Sequence, residues 1–259
     1  MKGIKMAVTF DPDTFEQPIL GFAYNGASKK DVFHSHRSGQ LLYSVRGVIE
    51  VQVGQQLLIV PPTNALWVPP DVMHCSVSTK PIHFRSLFIN SQYCDSLSND
   101  SGVIFVSALL KALIERVCAM GVYAKQDPSA LDLTRVILNE MLHASLCSFK
   151  VDFSSNELIL QIYDYLKMSH HWALSSDAVA SEFGMSTKTM NRFFQKETGM
   201  TYHQWFTQVK LVLAMAWLSE GVTITKVAHD LSYSSDSAFI AQFKRYFGIT
   251  PGQFIKQRL

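Results

Sequence analysis

Two stretches in the C-terminal half of the chain, FFQKETGMTYHQW (residues 193–205) and QFKRYFGITPGQF (residues 242–254), repeat one phrase. Aligned at an offset of 49 residues, they share four residues, which pair Phe194 with Phe243, Gly199 with Gly248, Thr201 with Thr250 and Gln204 with Gln253. Offsets of this size are typical of duplicated structural units. The chain therefore contains one small unit twice.

The first copy follows a segment with the spacing of a helix-turn-helix, DAVASEFGMSTKTMNRFF (residues 177–194). Ala180 is small enough to let two helices approach closely, Gly184 suits positive φ in a tight turn, and Ser186 is placed to cap the second helix. Arg suits guanine, Asn suits adenine, and Lys suits bases or phosphate. The alternative is an ordinary helical hairpin with a solvated face. The predicted DNA contacts are Ser186, Thr187, Lys188, Asn191, Arg192 and Gln195.

The second copy, VAHDLSYSSDSAFIAQF (residues 227–243), repeats the arrangement around Ala228 with a turn that is one residue longer. Ser232 stands where Gly would be favoured, and a non-Gly residue in a left-handed turn costs about 1 kcal/mol. Because Ala241 replaces Arg192, we expect the first copy to dominate base recognition. The DNA contacts predicted for the second copy are Ser235, Asp236, Ser237, Ala241, Lys244 and Arg245.

One long apolar segment between the copies predicts a helix over about 201–219, which joins helix-turn-helix units over about 174–198 and 223–247. A helix of about 19 residues is about 28 Å long, which is comparable with the B-DNA pitch of about 34 Å. Such a helix can hold two recognition helices in successive major grooves on one side of the duplex.

Residues 157–257 resemble the DNA-binding domain of AraC/XylS-type bacterial transcription regulators. The resemblance rests on both turns, on the phrase K-E-T-G-M-T, and on the closing F-K-R-Y-F-G-I-T-P-x-x-F. It implies an all-α DNA-binding domain over 151–259 that binds double-stranded promoter DNA and contacts RNA polymerase. Ser232 and Ala241 depart from the family pattern, which reduces the base reading expected of the second unit.

The N-terminal part of the chain, to about residue 92, predicts short strands separated by Gly and Pro turns, which is typical of a small antiparallel barrel or sandwich and not of a βαβ arrangement. Helical spacing follows over about 101–148. These helices cover the barrel, form the interface of a homodimer, or do both. The predicted fold class is α+β, with an N-terminal β-barrel and two following helices, and then an all-α domain with two helix-turn-helix motifs joined by a long helix.

His34, His36 and Gln40, followed by Gly47, resemble the cupin motif H-x-H-x3-E-x6-G with Gln40 in place of Glu. Around His74 the chain resembles the second cupin motif, P-x-G-x2-H, with Asp71 in place of Gly. The resemblance implies a cupin-like effector-sensing and dimerisation domain over 1–150, in which three imidazoles converge. They either bind a divalent metal ion or hydrogen-bond one another or an organic effector. The predicted metal ligands are His34, His36 and His74, and the predicted effector pocket adds Gln40, Tyr43, Trp67 and Arg85.

Together, the H-x-H motif, RSGQLLY and WVPPDVMH resemble the NimR-like subgroup of these regulators, which implies control of an adjacent efflux transporter gene. The leading hypothesis is a transcription regulator whose barrel senses a small molecule or a metal. One alternative is a metal-dependent cupin enzyme with an appended DNA-binding domain; Gln40 and the lack of an obvious general base argue against it. A constitutive DNA-binding protein with a vestigial barrel is the other.

Composition is that of an ordinary globular protein, with 47% hydrophobic and 17% charged residues. The net charge of +2 does not by itself indicate nucleic-acid binding. Four scattered cysteines form no disulfide framework or zinc-knuckle pattern. The N-terminus lacks the apolar run of a signal peptide, and no segment reaches the length of a membrane span. We therefore expect a cytoplasmic protein with no membrane partner.

Overall fold

A computed structural model of the chain describes residues 12–27, 29–54, 56–60, 62, 64–78, 82–120, 129–144, 153–154, 156–168 and 172–256. Within these described residues, ten strands form two five-stranded sheets, and nine of the strands precede residue 106. The strands are β1 (Ile19–Gly26), β2 (Lys29–Lys30), β3 (Gly39–Arg46), β4 (Ile49–Val53), β5 (Gln56–Val60), β6 (Asn64–Val68), β7 (His74–Ser78), β8 (Ile82–Ile89), β9 (Gly102–Phe105) and β10 (Phe153–Ser154).

The first sheet has the strand order β1-β8-β3-β6-β9 and the second has the order β10-β5-β4-β7-β2. The pairings are antiparallel, so the predicted antiparallel architecture is confirmed for the described strands. Apolar side chains from both sheets, such as Leu42 and Val51, form one buried cluster. Because side chains alternate along a strand, the neighbours Leu41 and Tyr43 of β3 belong to a different cluster, with the helices that follow the barrel.

Those helices are α1 (Ala108–Met120) and α2 (Ser129–His143), and they lie against the outer face of the first sheet. The predicted helical region from about 101 is corrected at its start, because Gly102–Phe105 forms strand β9 and pairs with β6. A short apolar run fits a buried strand as well as a helix. The barrel therefore extends past residue 92, and it also takes in β10, which pairs with β5.

The C-terminal part is all helical in its regular elements, as predicted. They are α3 (Glu157–Met168), α4 (Ser176–Glu182), α5 (Thr187–Thr198), α6 (Tyr202–Ser219), α7 (Ile224–Asp230), α8 (Asp236–Phe247) and α9 (Pro251–Lys256). Helix α6 is buried on most sides and forms the centre of the domain, with fully buried Trp205 and Val209 in the shared core. The predicted α+β fold class is confirmed.

The barrel and the helical domain pack directly against each other. Ile59 of β5 belongs to the core of the helical domain, and Val48 packs at its edge. From the other side, Tyr246 and Phe247 at the end of α8 pack against the apolar cluster between the two sheets. No helix in the described part of the chain is long and apolar enough to span a membrane.

Candidate functional site: two helix-turn-helix units and a histidine cluster

In the first helix-turn-helix, α4 and α5 are joined by a turn in which Gly184 has φ of 66°. The N–H of Met185 donates to the carbonyl oxygen of Ala180 at 2.9 Å, which closes the end of α4. Ser186 then caps α5, because its side chain accepts from the N–H of Thr189. The positive φ and the cap predicted at these two positions are confirmed.

The second unit, formed by α7 and α8, reproduces this turn with a serine. Ser232 has φ of 57°, and the N–H of Tyr233 donates to the carbonyl oxygen of Ala228 at 2.9 Å. The additional residue of the second unit lies between Ser232 and the N-cap of α8, Ser235. Ser235 has φ of −164°, whereas the corresponding N-cap of α5, Ser186, has φ of −80°. The two turns therefore share one left-handed position, and only one of them has the residue type that adopts it without strain.

A carboxylate and a hydroxyl brace the two helices of each unit, with their positions exchanged. In the first unit, Thr187 on α5 donates from Oγ1 to the carboxylate of Asp177 on α4. In the second, Thr225 on α7 donates from Oγ1 to the carboxylate of Asp236 on α8. Thr187 and Asp236, both predicted to contact DNA, therefore have side-chain partners within the protein.

On α5, Lys188, Arg192 and Gln195 are exposed along one face. Gln195 donates from Nε2 to the carbonyl oxygen of Gly199 at 2.8 Å. Asn191 is half-buried, and its Oδ1 accepts from the N–H of Tyr202 at 3.1 Å. The oxygen that a bidentate adenine contact would use is thus engaged at the start of α6, which leaves the exposed cations of this face as its candidates for base contacts.

On α8, the equivalent exposed face contains Ser237 and Ala241, and then Lys244 and Arg245 near the C-terminal end. Both helices have basic residues in the last turn, but only α5 also has cations, Lys188 and Arg192, in its first two turns. A recognition helix usually contacts base edges with its N-terminal residues. Lys244 and Arg245 are therefore better placed for phosphates than for bases.

Helix α6 sets the distance between the two units. Thr201 and Gln204 form a capping box at its N-terminus, and the 18 residues that follow the cap make a helix about 27 Å long. Lys210 lies over the rings of Phe206, at 4.6 Å from the centroid, and Tyr233, at 5.6 Å. Burial lowers the pKa of Lys210 to about 8. These contacts tie the second turn to the long helix.

In the barrel, His34, His36 and His74 form a cluster in which one ring nitrogen of each lies within 4.8 Å of the others. His74 begins β7, and the segment that contains His34 pairs with it through a β-bridge. The ring centroids of His34 and His74 are 4.5 Å apart, and those of His36 and His74 are 5.1 Å apart. His36 and His74 are buried. The predicted convergence of the three imidazoles is therefore present.

Each imidazole is oriented by a backbone carbonyl. The Nδ1 atoms of His34, His36 and His74 lie 2.9, 2.7 and 2.8 Å from the carbonyl oxygens of Val32, Ser38 and Val72. A carbonyl oxygen only accepts, so Nδ1 carries the proton in each ring. In a neutral ring the lone pair is then on Nε2, which is the arrangement found in histidines that bind metals.

The Gln40 side chain lies among the histidines. Its Oε1 is 2.8 Å from Nε2 of His74 and 3.3 Å from Nε2 of His36, while its Nε2 donates to Oγ of Ser86 at 2.8 Å. Burial lowers the pKa of His74 to about 4, so a second proton on this ring is disfavoured at neutral pH. A neutral His74 therefore brings its lone pair and that of Gln40 Oε1 together without a hydrogen between them.

Two arrangements remove this repulsion. Either the Gln40 amide rotates by 180°, so that its NH2 group faces the histidines, or a cation lies between the lone pairs. The separations of 2.8 and 3.3 Å are those of neighbouring ligands around an ion bound at about 2.1 Å. The residues present thus fit a metal with three nitrogen ligands and one amide oxygen.

The structure does not bring Tyr43, Trp67 and Arg85 into this site, which corrects the predicted effector pocket. Tyr43 and Trp67 pack in the cluster under α1 and α2. Arg85 forms an ion pair with Glu115 of α1, with 2.8 Å between Nε and Oε2. All three lie on the face of the first sheet opposite to Gln40, because side chains alternate along each strand.

Sequence reasoning missed Ser86 as the second partner of Gln40. It lies on β8, directly across from β3, and only the strand register brings the two residues together. Asp71, in contrast, was identified through its motif. It has φ of 62°, and its N–H donates to the carbonyl oxygen of His36 at 2.9 Å. The position thus has the backbone conformation of the glycine that it replaces, and it links the two histidine motifs.

Comparison with known proteins follows the same division of the chain. A family model described as a helix-turn-helix domain matches residues 179–257. The HTH-type transcriptional regulator NimR of Escherichia coli K12 is 29% identical over 249 residues, which cover 95% of this chain and 90% of that protein. The virulence regulon transcriptional activator VirF of Yersinia enterocolitica is 25% identical over 226 residues, which cover 83% and 79%.

Among solved structures, ToxT from Vibrio cholerae strain SCE256 with a bound unsaturated fatty acid aligns over 92% of this chain and 95% of its own. Its sequence identity is 10% and the TM-score is 0.39. This likeness is too distant to carry an argument about the sites of this chain.

Proposed function

We propose that the chain is a transcription regulator of the AraC type with a cupin-like N-terminal domain, and that it binds promoter DNA through α5 and α8 under the control of the histidine site. Relatives that cover most of the chain are named as transcription regulators. Similarity to them supports a regulatory role for the barrel over the alternative of a cupin enzyme.

The observation that carries the proposal is the placement of two similar helix-turn-helix units at the two ends of one rigid helix. Helix α6 is about 27 Å long, and one helical turn of B-DNA is about 34 Å. Two recognition helices joined in this way suit successive major grooves. The exposed cations of α5 would read bases, and those at the end of α8 would contact phosphates.

Binding-site selection with the purified full-length protein tests this proposal. We expect a recovered operator with two conserved blocks about one helical turn apart, of which the block read by α5 is the more strongly conserved. Footprinting on that operator should show protection on one side of the duplex. If selection recovers no sequence above the background, the proposed sequence-specific function is wrong.

For the barrel we propose a divalent metal ion held by His34, His36 and His74, with Gln40 as the fourth ligand. Neutral imidazole nitrogen favours zinc, nickel, cobalt or ferrous iron over magnesium and calcium. Such an ion would supply a charged centre to which small ligands can bind. The chain's own residues link the site to the fold, because His74 begins β7 and His36 is held to Asp71 through its backbone.

Metal content of untagged protein is the measurement that tests this site. After equilibration with Zn²⁺ or Ni²⁺ and removal of free ion, we expect about one ion per chain. His34→Ala removes one of three nitrogen ligands and should lower the affinity at least about tenfold, since even the loss of an outer-sphere partner costs 10–100-fold. His83→Ala, which replaces an exposed histidine of the same barrel, should leave the metal content unchanged. Metal-free wild-type protein would refute the site.

An organic effector is the second candidate for the barrel. Val32, Phe33 and Met73 are exposed beside the histidines, with 80%, 47% and 47% of their surfaces accessible. This apolar rim suits a ligand with a polar head at the histidines and an apolar body. Effector screening by thermal shift, with and without added metal, separates this ligand from a metal alone.

We also propose a homodimer, a contact with RNA polymerase and a regulated gene. A homodimer through α1 and α2 is supported by the exposed apolar side chains Leu109, Val136 and Leu142. Contact with RNA polymerase, and control of an adjacent efflux transporter gene, rest on family resemblance. Sedimentation of the full chain tests the dimer, and the genomic position of the selected operator tests the gene.

A further inference from the structure

A cleft lies between the barrel and the helical domain. The barrel side is formed by the turn from β3 to β4, with Gly47 and Val48, and by Glu50 of β4. Helix α3 supplies Tyr163 and Lys167. The opposite side is formed by Trp172 and, near the C-terminal end of α6, by Trp217 and Glu220. The cleft is separate from the histidine cluster.

The charges of the cleft do not balance. Lys167 forms an ion pair with Glu50, which also accepts from the hydroxyl of Tyr163 at 3.2 Å. Glu220 is exposed, and its carboxylate has no ion-pair partner among the described residues. The lining therefore carries one unpaired negative charge. Glu220 also caps the C-terminus of α6, where the helix dipole contributes further negative potential.

Two indole rings line the same cleft. Trp217 is half-buried, while Trp172 is buried and stacks on Phe206, with the ring centroids 6.2 Å apart. Nε1 of Trp172 is buried and donates to no acceptor in the described part of the chain. A buried N–H without an acceptor costs about 1–3 kcal/mol. A ligand that supplies an acceptor atom would recover part of this free energy.

From these features we propose that the cleft binds a planar aromatic monocation with a hydrogen-bond acceptor at its edge. The aromatic body would be buried against Trp217 and Trp172, and indole is the ring that attracts cations most strongly. The positive charge would be paired with Glu220. A carboxylate or sulfonate ligand is disfavoured, because the cation Lys167 is already paired with Glu50.

Such a ligand would contact the barrel and α6 at the same time. Since α6 joins the two helix-turn-helix units, occupation of the cleft would fix the orientation of the barrel relative to the DNA-binding helices. The proposed ligand binding does not depend on the function proposed above, whereas its effect on DNA binding rests on that function.

The closing experiment uses three probes of similar shape and different charge, each with a methoxy oxygen as the acceptor: 6-methoxy-1-methylquinolinium, 2-methoxynaphthalene and 6-methoxy-2-naphthoate. Binding to the full chain is followed by tryptophan fluorescence and calorimetry. We expect the cation to bind at least tenfold more tightly than the anion. Glu220→Gln should reduce that preference severalfold, and Trp217→Ala should weaken the binding of all the probes that bind. Glu157→Gln replaces an exposed carboxylate on α3 outside the cleft. It should change neither the charge preference nor the affinity for the probes.

The inference is overturned if no probe binds, if the anion binds most tightly, or if Glu220→Gln leaves the charge preference unchanged. The variant His34→Ala should retain cation binding, and a loss there would place the ligand in the histidine cluster instead. Operator affinity of the same preparation is measured without probe. Intact operator binding with no cation binding refutes only the cleft, whereas cation binding without operator binding refutes only the proposed function.

Discussion

The two helix-turn-helix units differ on the face that points outward and agree in the parts that hold them together. Both have a left-handed turn residue, a serine cap on the recognition helix and a left-handed glycine at its end, Gly199 or Gly248. On the exposed faces, Lys188 and Arg192 of α5 correspond to Ser237 and Ala241 of α8. The two units therefore agree at the positions that fix the backbone conformation and differ at the exposed positions of their second helices.

The largest effect on DNA binding is expected at Arg192, because the corresponding position of α8 is Ala241. We predict that Arg192→Ala lowers affinity for the selected operator by about 5- to 150-fold, which corresponds to about 1–3 kcal/mol. It should also remove the preference for one base, because a guanidinium reads guanine through two hydrogen bonds. Fluorescence anisotropy with matched operators at fixed salt measures both quantities.

Two control variants complete this experiment. Lys244→Ala in the second unit should weaken binding equally for all sequences and reduce the slope of the salt dependence by about 1, since it is expected to contact phosphate. Arg135→Ala, at an exposed position on α2, should have no effect on DNA binding. Unchanged sequence preference in Arg192→Ala would show that α5 does not read bases.

The scaffold of the two units was largely predictable, because backbone requirements leave a mark on residue type. Gly184 and Ser186 identify a turn and a cap, and the second copy locates Ser232 by alignment. Asp71 was located in the same way through the cupin motif. In each case a local conformation constrains the residue at a fixed spacing, so the sequence alone carries the information.

Tertiary contacts were not predictable in the same way. Asn191 lies on the expected outward face, but its oxygen reaches the start of α6, 11 residues further along the chain. Trp67 and Arg85 were assigned to the histidine pocket, and only the strand register shows that they lie on the opposite face. For Tyr43 the alternation along β3 was sufficient, since it is three residues from Gln40. The three converging histidines could thus be found by motif, whereas the limits of the pocket around them could not.

The next largest effect concerns the turn residue itself. We predict that Ser232→Gly raises the free energy of unfolding by about 1 kcal/mol, because it relieves the cost of positive φ. Gly184→Ala should lower it by about 1–2 kcal/mol, since no neighbouring atom within 4 Å of the added Cβ would offset the strain. Urea unfolding of the full chain, followed by tryptophan fluorescence, measures both changes.

Gly252 provides the control for this pair. It lies within α9, has no positive φ, and has no atom within 4 Å of an added Cβ. Gly252→Ala should therefore stabilise the chain by about 0.5–1 kcal/mol, as is usual for glycine in a helix. The same sign for Gly184→Ala and Gly252→Ala would contradict the assignment of strain to the turn.

The smallest effect tests whether the exchanged braces are equivalent. In the first unit the acid is on α4 and the hydroxyl on α5; in the second unit the hydroxyl is on α7 and the acid on α8. Asp177→Thr alone removes the carboxylate, and Thr187→Asp alone places two carboxylates together. Each single substitution should cost about 0.5–1.5 kcal/mol, the usual net value of a hydrogen bond.

The double exchange should return to within about 0.5 kcal/mol of wild type, because it rebuilds the brace of the second unit near a helix N-terminus that favours negative charge. A double-mutant cycle in urea measures this coupling. If the two losses simply add, the braces are accidental neighbours, and the similarity of the two units ends at the turn and the cap.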